Sequence, residues 1–270
     1  STNTPIYDKI CRILGHPAPT HFTYELFLDE AGHKISKTSG NGVSIDEWLT
    51  YANTESLYYF MYLKPKTAKR LHFDIIPKAM DDYQQQLRAY VDQDVKARFN
   101  NPVFHIHGFN VPKSDLVVSF NMLLNLAAVA NAEEKTQLWG FIKRYAPDAN
   151  PESHSGLDEA AGFAIRYYND FVKPHKIYRE PNDLEREALL DLRNQLNDYE
   201  GSLEIEVLQS IVFSCGRDRF DQLRDWFKAI YEVLLGASQG PRFGGFIALY
   251  GISETVTLID QALEGSFVSS

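Results

Sequence analysis

Residues 116–130 read LVVSFNMLLNLAAVA, and a helix through this stretch would be apolar on nearly every side. Such a helix has to be buried among other helices, so the stretch predicts the centre of a helical bundle. Later in the chain, apolar residues recur every three or four positions, which is typical of amphipathic helices. The sets are Leu157, Ala160, Ala161, Ala164, Ile165, Tyr168, Phe171 and Val172; Leu184, Ala188, Leu192, Leu196 and Tyr199; and Leu223, Trp226, Phe227, Ile230 and Leu234. These spacings predict a mainly α-helical body from residue 53 onward.

The first fifty residues follow a different pattern. Residues 5–14 predict a short helix, with Thr4 as its cap and Pro5 in the first turn. Residues 22–28 read FTYELFL, whose alternating aromatic and aliphatic positions predict a strand. One strand and a turn cannot bury a core of their own. We therefore interpret this segment as the end of an α/β domain whose beginning is absent.

A turn and a loop are predicted after that strand. Residues 29–32 predict a turn, and residues 33–42 predict a loop rich in Lys, Ser, Gly and Asn. Ser44 and Glu47 then have the spacing of a capping box. A helix is predicted to begin there.

Composition narrows the class of protein. The 270 residues carry a net charge of −9, with 44% hydrophobic and 23% charged residues, which fits a globular protein. No apolar run is long enough for a transmembrane helix. The acidic balance argues against a general nucleic-acid coat protein, although residues 34–70 are locally basic. Cys11 and Cys215 are too few for a disulfide framework or a cysteine zinc site, which suits a cytoplasmic protein.

The sharpest motif is Lys34-Ile35-Ser36-Lys37-Thr38, followed by Ser39-Gly40-Asn41-Gly42. Two ammonium groups three residues apart, with a hydroxyl between them and glycines behind, can fold around a polyphosphate. Loops of Lys, Ser and Gly are also common as merely solvated segments. Spacing alone leaves both interpretations open.

The motif resembles the Lys-Met-Ser-Lys-Ser loop of class I aminoacyl-tRNA synthetases, with Ile for Met and Thr for the last Ser. Its surroundings resemble class I lysyl-tRNA synthetase in particular, and the resemblance extends over nearly the whole chain. The similar segments are YELFLDE at 24–30, GNG at 40–42, DEWL at 46–49, KRLHFD at 69–74 and GPRFGGFIAL at 240–249.

This resemblance implies a domain order. Residues 1–52 would be the end of a Rossmann-type α/β catalytic domain, residues 53–110 a helical region that contacts the tRNA stem, and residues 111–270 an α-helical anticodon-binding bundle. The resemblance also implies ATP-dependent attachment of lysine to tRNA(Lys) through a lysyl-adenylate. The partners would be ATP, lysine and tRNA(Lys), with no membrane and no DNA. A fragment without the first half of the active site is expected to be inactive.

By the same resemblance, Lys34 and Lys37 are the catalytic residues, since they would bind the phosphates of ATP as pyrophosphate leaves. Ile35, Ser36 and Thr38 would complete the ATP-binding loop. Mg²⁺ is implied by the ATP chemistry, but the sequence assigns no ligand to it, and no metal site is predicted.

A second basic segment is a candidate for tRNA binding. Lys64, Lys66, Lys69 and Arg70 lie between the loop and the helical body, where the family's chain passes near the acceptor stem. A solvated turn around Pro65 explains the same residues equally well. The sequence leaves these two interpretations open.

His105-Ile106-His107-Gly108 is similar in letters to the His-Ile-Gly-His motif of this class, but the order differs and it follows the Lys loop. We predict a connecting strand or loop with a structural role. Two alternative functions remain: a glutamyl-type class I synthetase fragment, and a non-catalytic helical RNA-binding module. An upstream strand followed by His-Ile-Gly-His at the start of a helix would favour a synthetase over the binding module.

Overall fold

The computed structural model describes residues 3–36, 38 and 40–268, and this part of the chain is mainly α-helical. The helices are α1 (Thr4–Ile13), α2 (Ile45–Tyr51), α3 (Thr54–Tyr62), α4 (Ile75–Asp92), α5 (Val95–Asn100), α6 (Pro102–His107), α7 (Phe120–Ala130), α8 (Lys135–Tyr145), α9 (Ser155–Tyr167), α10 (Asp183–Asn197), α11 (Ile205–Arg217), α12 (Leu223–Ile230), α13 (Phe243–Tyr250) and α14 (Ile252–Leu263). Two short strands are β1 (Phe27–Leu28) and β2 (Lys69–Arg70). Single helical turns of other types extend α9 (Tyr168–Val172, then Lys173–His175) and α12 (Tyr231–Leu235). Within the described residues, no helix has the length and apolar character needed to span a bilayer.

The first hydrophobic core forms around α7, as predicted. Phe120, Leu123 and Leu126 are fully buried, and α7 packs against α4, α8 and α9. The helix begins at Phe120 rather than at residue 116. The reason is Ser119, whose hydroxyl accepts a hydrogen bond from the backbone N–H of Met122 at 3.2 Å and so caps the helix.

Helices α10, α11, α12, α13 and α14 form a second hydrophobic core around the fully buried Trp226. Helices α11 and α13 cross so closely that a Cβ on Gly244 would lie 2.5 Å from the backbone nitrogen of Gln209. The buried Gln209 side chain accepts a hydrogen bond from the Gly244 N–H at 2.8 Å. The close crossing therefore requires glycine at position 244.

The small sheet is shorter than predicted. Strand β1 contains only Phe27 and Leu28, which pair in parallel with Lys69 and Arg70 of β2. The prediction of a strand over residues 22–26 is wrong. Among the described residues, the bonds of this segment toward β2 are from the Glu25 N–H to Pro65 O at 2.9 Å and from the Lys69 N–H to Leu26 O at 3.4 Å, and they form no ladder. A strand forms only where a neighbouring strand can accept and donate its backbone hydrogen bonds. The alternation of side chains within one segment does not show whether such a neighbour is present.

Helix α1 matches its predicted extent but not its predicted cap. Its N-cap is Asn3 rather than Thr4, with Pro5 in the first turn. No residue of α1 is buried, and its apolar side chains are exposed, with Ile13 at 75%. An amphipathic helix with a solvent-facing apolar side lacks the packing partner that its pattern requires.

The two histidines of residues 105–108 lie in helix α6, so the prediction of a strand or loop there is wrong. Asn101 caps this helix by accepting from the Val103 N–H at 3.0 Å, and Pro102 occupies the first turn. His105 stacks on the ring of Tyr62, and a ring nitrogen of His107 hydrogen bonds the Tyr83 hydroxyl at 2.9 Å.

Candidate functional site

Lys34 enters the predicted phosphate-binding loop from a hairpin. The Asp29 N–H donates to His33 O at 2.8 Å, and the Ile35 N–H donates to Phe27 O at 3.1 Å. These two bonds flank an antiparallel bridge between Leu28 and Lys34. The backbone of Lys34 is therefore held by regular pairing while its side chain is exposed.

The hairpin turn is closed by Asp29. Its carboxylate accepts the His33 N–H at 2.7 Å and also an N–H of the Asn41 side chain at 2.7 Å. Those two bonds hold the pKa of Asp29 below its ordinary value, the Asn41 bond being the largest cause. Gly32, at φ +90°, supplies the left-handed conformation that the turn needs.

The two ends of the loop meet. The Gly40 N–H donates to Ser36 O at 3.1 Å, and the Ser36 N–H donates to Asn41 Oδ1 at 3.1 Å. Ile35 covers Gly42 so tightly that a Cβ at position 42 would lie 2.3 Å from the Ile35 side chain. The loop is thus closed at its base by one backbone bond, one amide side chain and one apolar contact.

The structure describes four of the five predicted ATP-binding residues. The side chains of Lys34, Ser36 and Thr38 are exposed, and Ile35 is half-buried against Gly42. Lys37 lies outside the described residues. Its predicted catalytic role therefore stays a prediction.

Arg70 lies on the same small sheet as Lys34. Both residues are aligned with Leu28, Lys34 by the antiparallel bridge and Arg70 by the parallel ladder. Aligned residues of neighbouring strands share a face, and two strand spacings separate their Cα atoms by roughly 10 Å. The Arg70 guanidinium extends to within 3.8 Å of the point where a Cβ on Gly32 would lie. Sequence reasoning missed this neighbourhood, because a parallel pairing across forty residues leaves no local signal.

The other predicted tRNA-binding residues occupy the connection from α3 to β2. Lys64 and Lys66 are exposed, and the turn is closed by a bond from the Thr67 N–H to Lys64 O at 3.0 Å. Lys69 differs from them. Its ammonium donates to two carbonyls at the end of α3, those of Phe60 at 2.7 Å and Met61 at 2.9 Å, and burial lowers its pKa. Lys69 therefore caps a helix.

An open apolar cleft of about 810 Å³ lies beside these residues. Its wall includes the aromatic side chains of residues 22–26 that do not join the sheet. The lining residues are Phe22, Tyr24, Glu25, Phe27, Tyr58, Met61, Tyr62, Pro65, Thr67, Lys69, His105 and Ile106. Throughout the described ranges, no group of three or more His, Cys, Asp and Glu side chains is arranged to hold a metal ion.

Comparison with known proteins gives a consistent result. Residues 1–110 match the sequence model of a family described as tRNA synthetases class I (K). The whole chain is 71% identical over 269 residues to a protein of Roseobacter denitrificans named lysine–tRNA ligase, covering 51% of it. Proteins of the same name from Rickettsia conorii and Rickettsia bellii are 47% and 48% identical over 264 residues, 97% of this chain and 51% of each relative. The chain spans about half the length of these curated relatives.

Proposed function

We propose, starting from the membership of this chain in the class I lysyl-tRNA synthetase family, that it forms part of an enzyme that attaches lysine to tRNA(Lys) at the expense of ATP. The observation that carries the proposal is the loop beginning at Lys34. It is closed at its base by Asn41 and Gly42 and presents an ammonium group on the same face as Arg70. Two cations on one face, beside a glycine-containing loop, suit a polyphosphate.

The chemistry that this loop would serve is formation of a lysyl-adenylate. The carboxylate of lysine attacks the α-phosphorus of ATP, a P–O bond breaks, and pyrophosphate leaves with its additional negative charge. Lys34 and Lys37 would stabilise that charge as it develops, which is the main way in which proteins accelerate such transfers. Mg²⁺ normally accompanies ATP in these reactions, but the described residues contain no cluster that fits it, so we assign no step to the metal.

Two exposed surfaces support the proposal that residues 1–52 are the end of a larger α/β domain. The apolar face of α1 is open to solvent, Leu14 directly after the helix is 69% exposed, and Tyr24 in the unpaired segment is 70% exposed. Exposed apolar patches of this kind mark places where another part of a protein packs. A preceding segment of a longer protein would cover them and supply the rest of the ATP and lysine pockets.

The helical body is proposed to bind tRNA, with residues 53–110 near the stem and residues 111–270 near the anticodon. Helix α4 of the first region and α7 of the second share one hydrophobic core. The two regions would therefore move as one body when tRNA binds. Lys64 and Lys66 are the exposed cations that would contact the stem phosphates. Arg70, predicted with them, lies on the face of Lys34 and would serve the ATP phosphates instead.

The proposal is tested by lysine-dependent exchange of pyrophosphate into ATP. The longer protein that contains this chain should catalyse exchange with lysine and not with glutamate, whereas the 270-residue chain alone should not. Exchange with glutamate instead of lysine would assign the protein to the glutamyl-type alternative. Exchange by the 270-residue chain would show that no further segment is needed, which would contradict the proposal.

A further inference from the structure

We propose that Asn41 is a positioning residue for adenylate formation, and that its bond to Asp29 fixes the loop that presents Lys34. This inference rests on the proposed function for its chemistry, but the bond itself is independent of that function. Lys34 lies at the beginning of the loop, Asn41 near its end, and Asp29 precedes it. A single side chain thus joins the end of the loop to its beginning.

The contacts of Asn41 divide between its two polar atoms. Its Oδ1 accepts the Ser36 N–H at 3.1 Å. Its Nδ2 donates to Asp29 Oδ2 at 2.7 Å and more weakly to Lys34 O at 3.4 Å. A side-chain amide supplies both an acceptor for a backbone N–H and a donor for a carboxylate.

The bond to Asp29 is the stronger part of the arrangement. A hydrogen bond to an ionised carboxylate is shorter and stronger than one between neutral groups, and the lowered pKa of Asp29 reflects the contribution of Asn41. Asp29 is itself fixed on the turn by the His33 N–H at 2.7 Å. The loop is therefore linked to the hairpin whose first arm is β1.

The hydrogen bond from Asn41 to Asp29 matters because electrostatic stabilisation of a transition state depends on charges that are in place before the reaction. Displacement of a catalytic group by about 1 Å can lower a rate on the order of a hundredfold. Asn41 also contacts the Lys34 carbonyl. Its release from Asp29 would therefore loosen the end of the paired segment that carries Lys34 and shift the Lys34 ammonium relative to the departing pyrophosphate.

The test uses isosteric exchanges in the longer protein: Asn41→Asp, Asp29→Asn and the double variant. Asn41→Asp replaces the donor by a carboxylate facing Asp29, and it should lower kcat for adenylate formation on the order of a hundredfold with KM for lysine unchanged. In the double variant, the amide introduced at position 29 can donate to the carboxylate introduced at position 41. It should recover most of the lost rate. Asn110→Asp, in an exposed segment, is the matched control and should leave the rate unchanged.

A second measurement separates the bond from the function. In the 270-residue chain, Asn41→Ala should accelerate amide hydrogen exchange at Ser36, as followed by NMR, because its acceptor is removed. Unchanged exchange would overturn the proposed arrangement. An Asn41→Asp enzyme with wild-type kcat, or a loss of rate that Asp29→Asn does not repair, would overturn the positioning role. Absence of lysine-dependent activity in the wild-type protein would instead refute the proposed function. The hydrogen-exchange rate at Ser36 would then still show whether the Asn41 contacts exist.

Discussion

Lys34 and Arg70 are aligned with one residue, Leu28, from opposite sides of β1, so that their side chains share a face of the small sheet. The two residues belong to segments separated by α2 and α3. Each is exposed, and together they place two positive charges on one face of a protein whose net charge is −9. A local positive face attracts an anionic ligand even when the whole molecule repels it.

The first prediction concerns the lysines of the loop. In the longer protein, Lys34→Ala and Lys37→Ala should each lower the rate of adenylate formation on the order of 10²- to 10³-fold, as removal of one charge-stabilising donor does in other enzymes. Affinity for lysine should change little, because the charge acts on the departing phosphates. Single-turnover kinetics at varied lysine concentration would measure both effects.

Lys143→Ala is the control for these variants, since Lys143 is exposed on α8, away from the hairpin. Its kinetics should equal those of the wild type. A wild-type adenylation rate in either loop variant would remove that lysine from the mechanism. A loss confined to lysine affinity would place the residue in the amino-acid pocket instead.

The second prediction concerns the connection from α3 to β2. Reversal of Lys64 and Lys66 to Glu should weaken tRNA binding for any anticodon, because phosphate contacts carry no sequence information. The slope of log affinity against log salt should become shallower by about one for each phosphate that the protein no longer neutralises. Titration of tRNA at several salt concentrations would show both changes.

Lys69 gives this experiment an internal comparison. Its ammonium already bonds two carbonyls at the end of α3, so Lys69→Met should destabilise the fold by about 1–3 kcal/mol, as the loss of hydrogen bonds to a charged group does. We expect its effect on the salt slope to be smaller than that of the two exposed lysines. Equal affinities and slopes in the Lys64 and Lys66 variants would identify the segment as a solvated turn.

The third prediction is a dependence of stability on pH through Lys176. Its ammonium donates to Ala128 O at 2.6 Å and lies 5.6 Å and 5.2 Å from the ring centroids of Tyr168 and Tyr178. Burial, reinforced by the charge of Lys173, lowers the pKa of Lys176 from 10.5 to about 8. Between these two values the unfolded chain binds more protons than the folded protein, so this residue's contribution to the free energy of unfolding rises with pH.

Urea unfolding from about pH 7 to 10.5 would cover this range. The difference in unfolding free energy between wild type and Lys176→Met should grow in favour of the wild type above about pH 8. A flat difference for Lys176 would mean that its amine remains well hydrated in the folded protein.

The sequence predicts the helices well because their signals are local. Ser44 and Glu47 form the expected capping box, and the apolar spacing of residues 184–199 appears in α10. Signals that depend on distant partners were not predictable. Strand β2 consists of Lys69 and Arg70, which have no strand pattern, and it exists because β1 pairs with it. Likewise, the Lys34 motif could be found from its spacing, whereas the bond between Asn41 and Asp29 depends on how the hairpin folds.

The last prediction uses two glycines in helices that differ in their surroundings. A Cβ on Gly244 in α13 would lie 2.5 Å from the backbone nitrogen of Gln209 and 2.7 Å from Ile205 O. Backbone atoms of a packed helix cannot move aside without displacing the helix, and overpacking of this kind costs about 1–3 kcal/mol. Gly244→Ala should therefore lower the free energy of unfolding by that amount.

Gly140 in α8 provides the opposite case, since no atom lies within 4 Å of the position that its Cβ would occupy. Alanine there removes conformational freedom from the unfolded chain without meeting a neighbour, so Gly140→Ala should raise stability by roughly 0.5–1 kcal/mol. Urea denaturation of both variants, with equal m-values as the check on two-state behaviour, gives the comparison. Similar effects of the two substitutions would mean that α11 and α13 are not in backbone contact at Gly244, and the second core would then be packed differently from the arrangement described above.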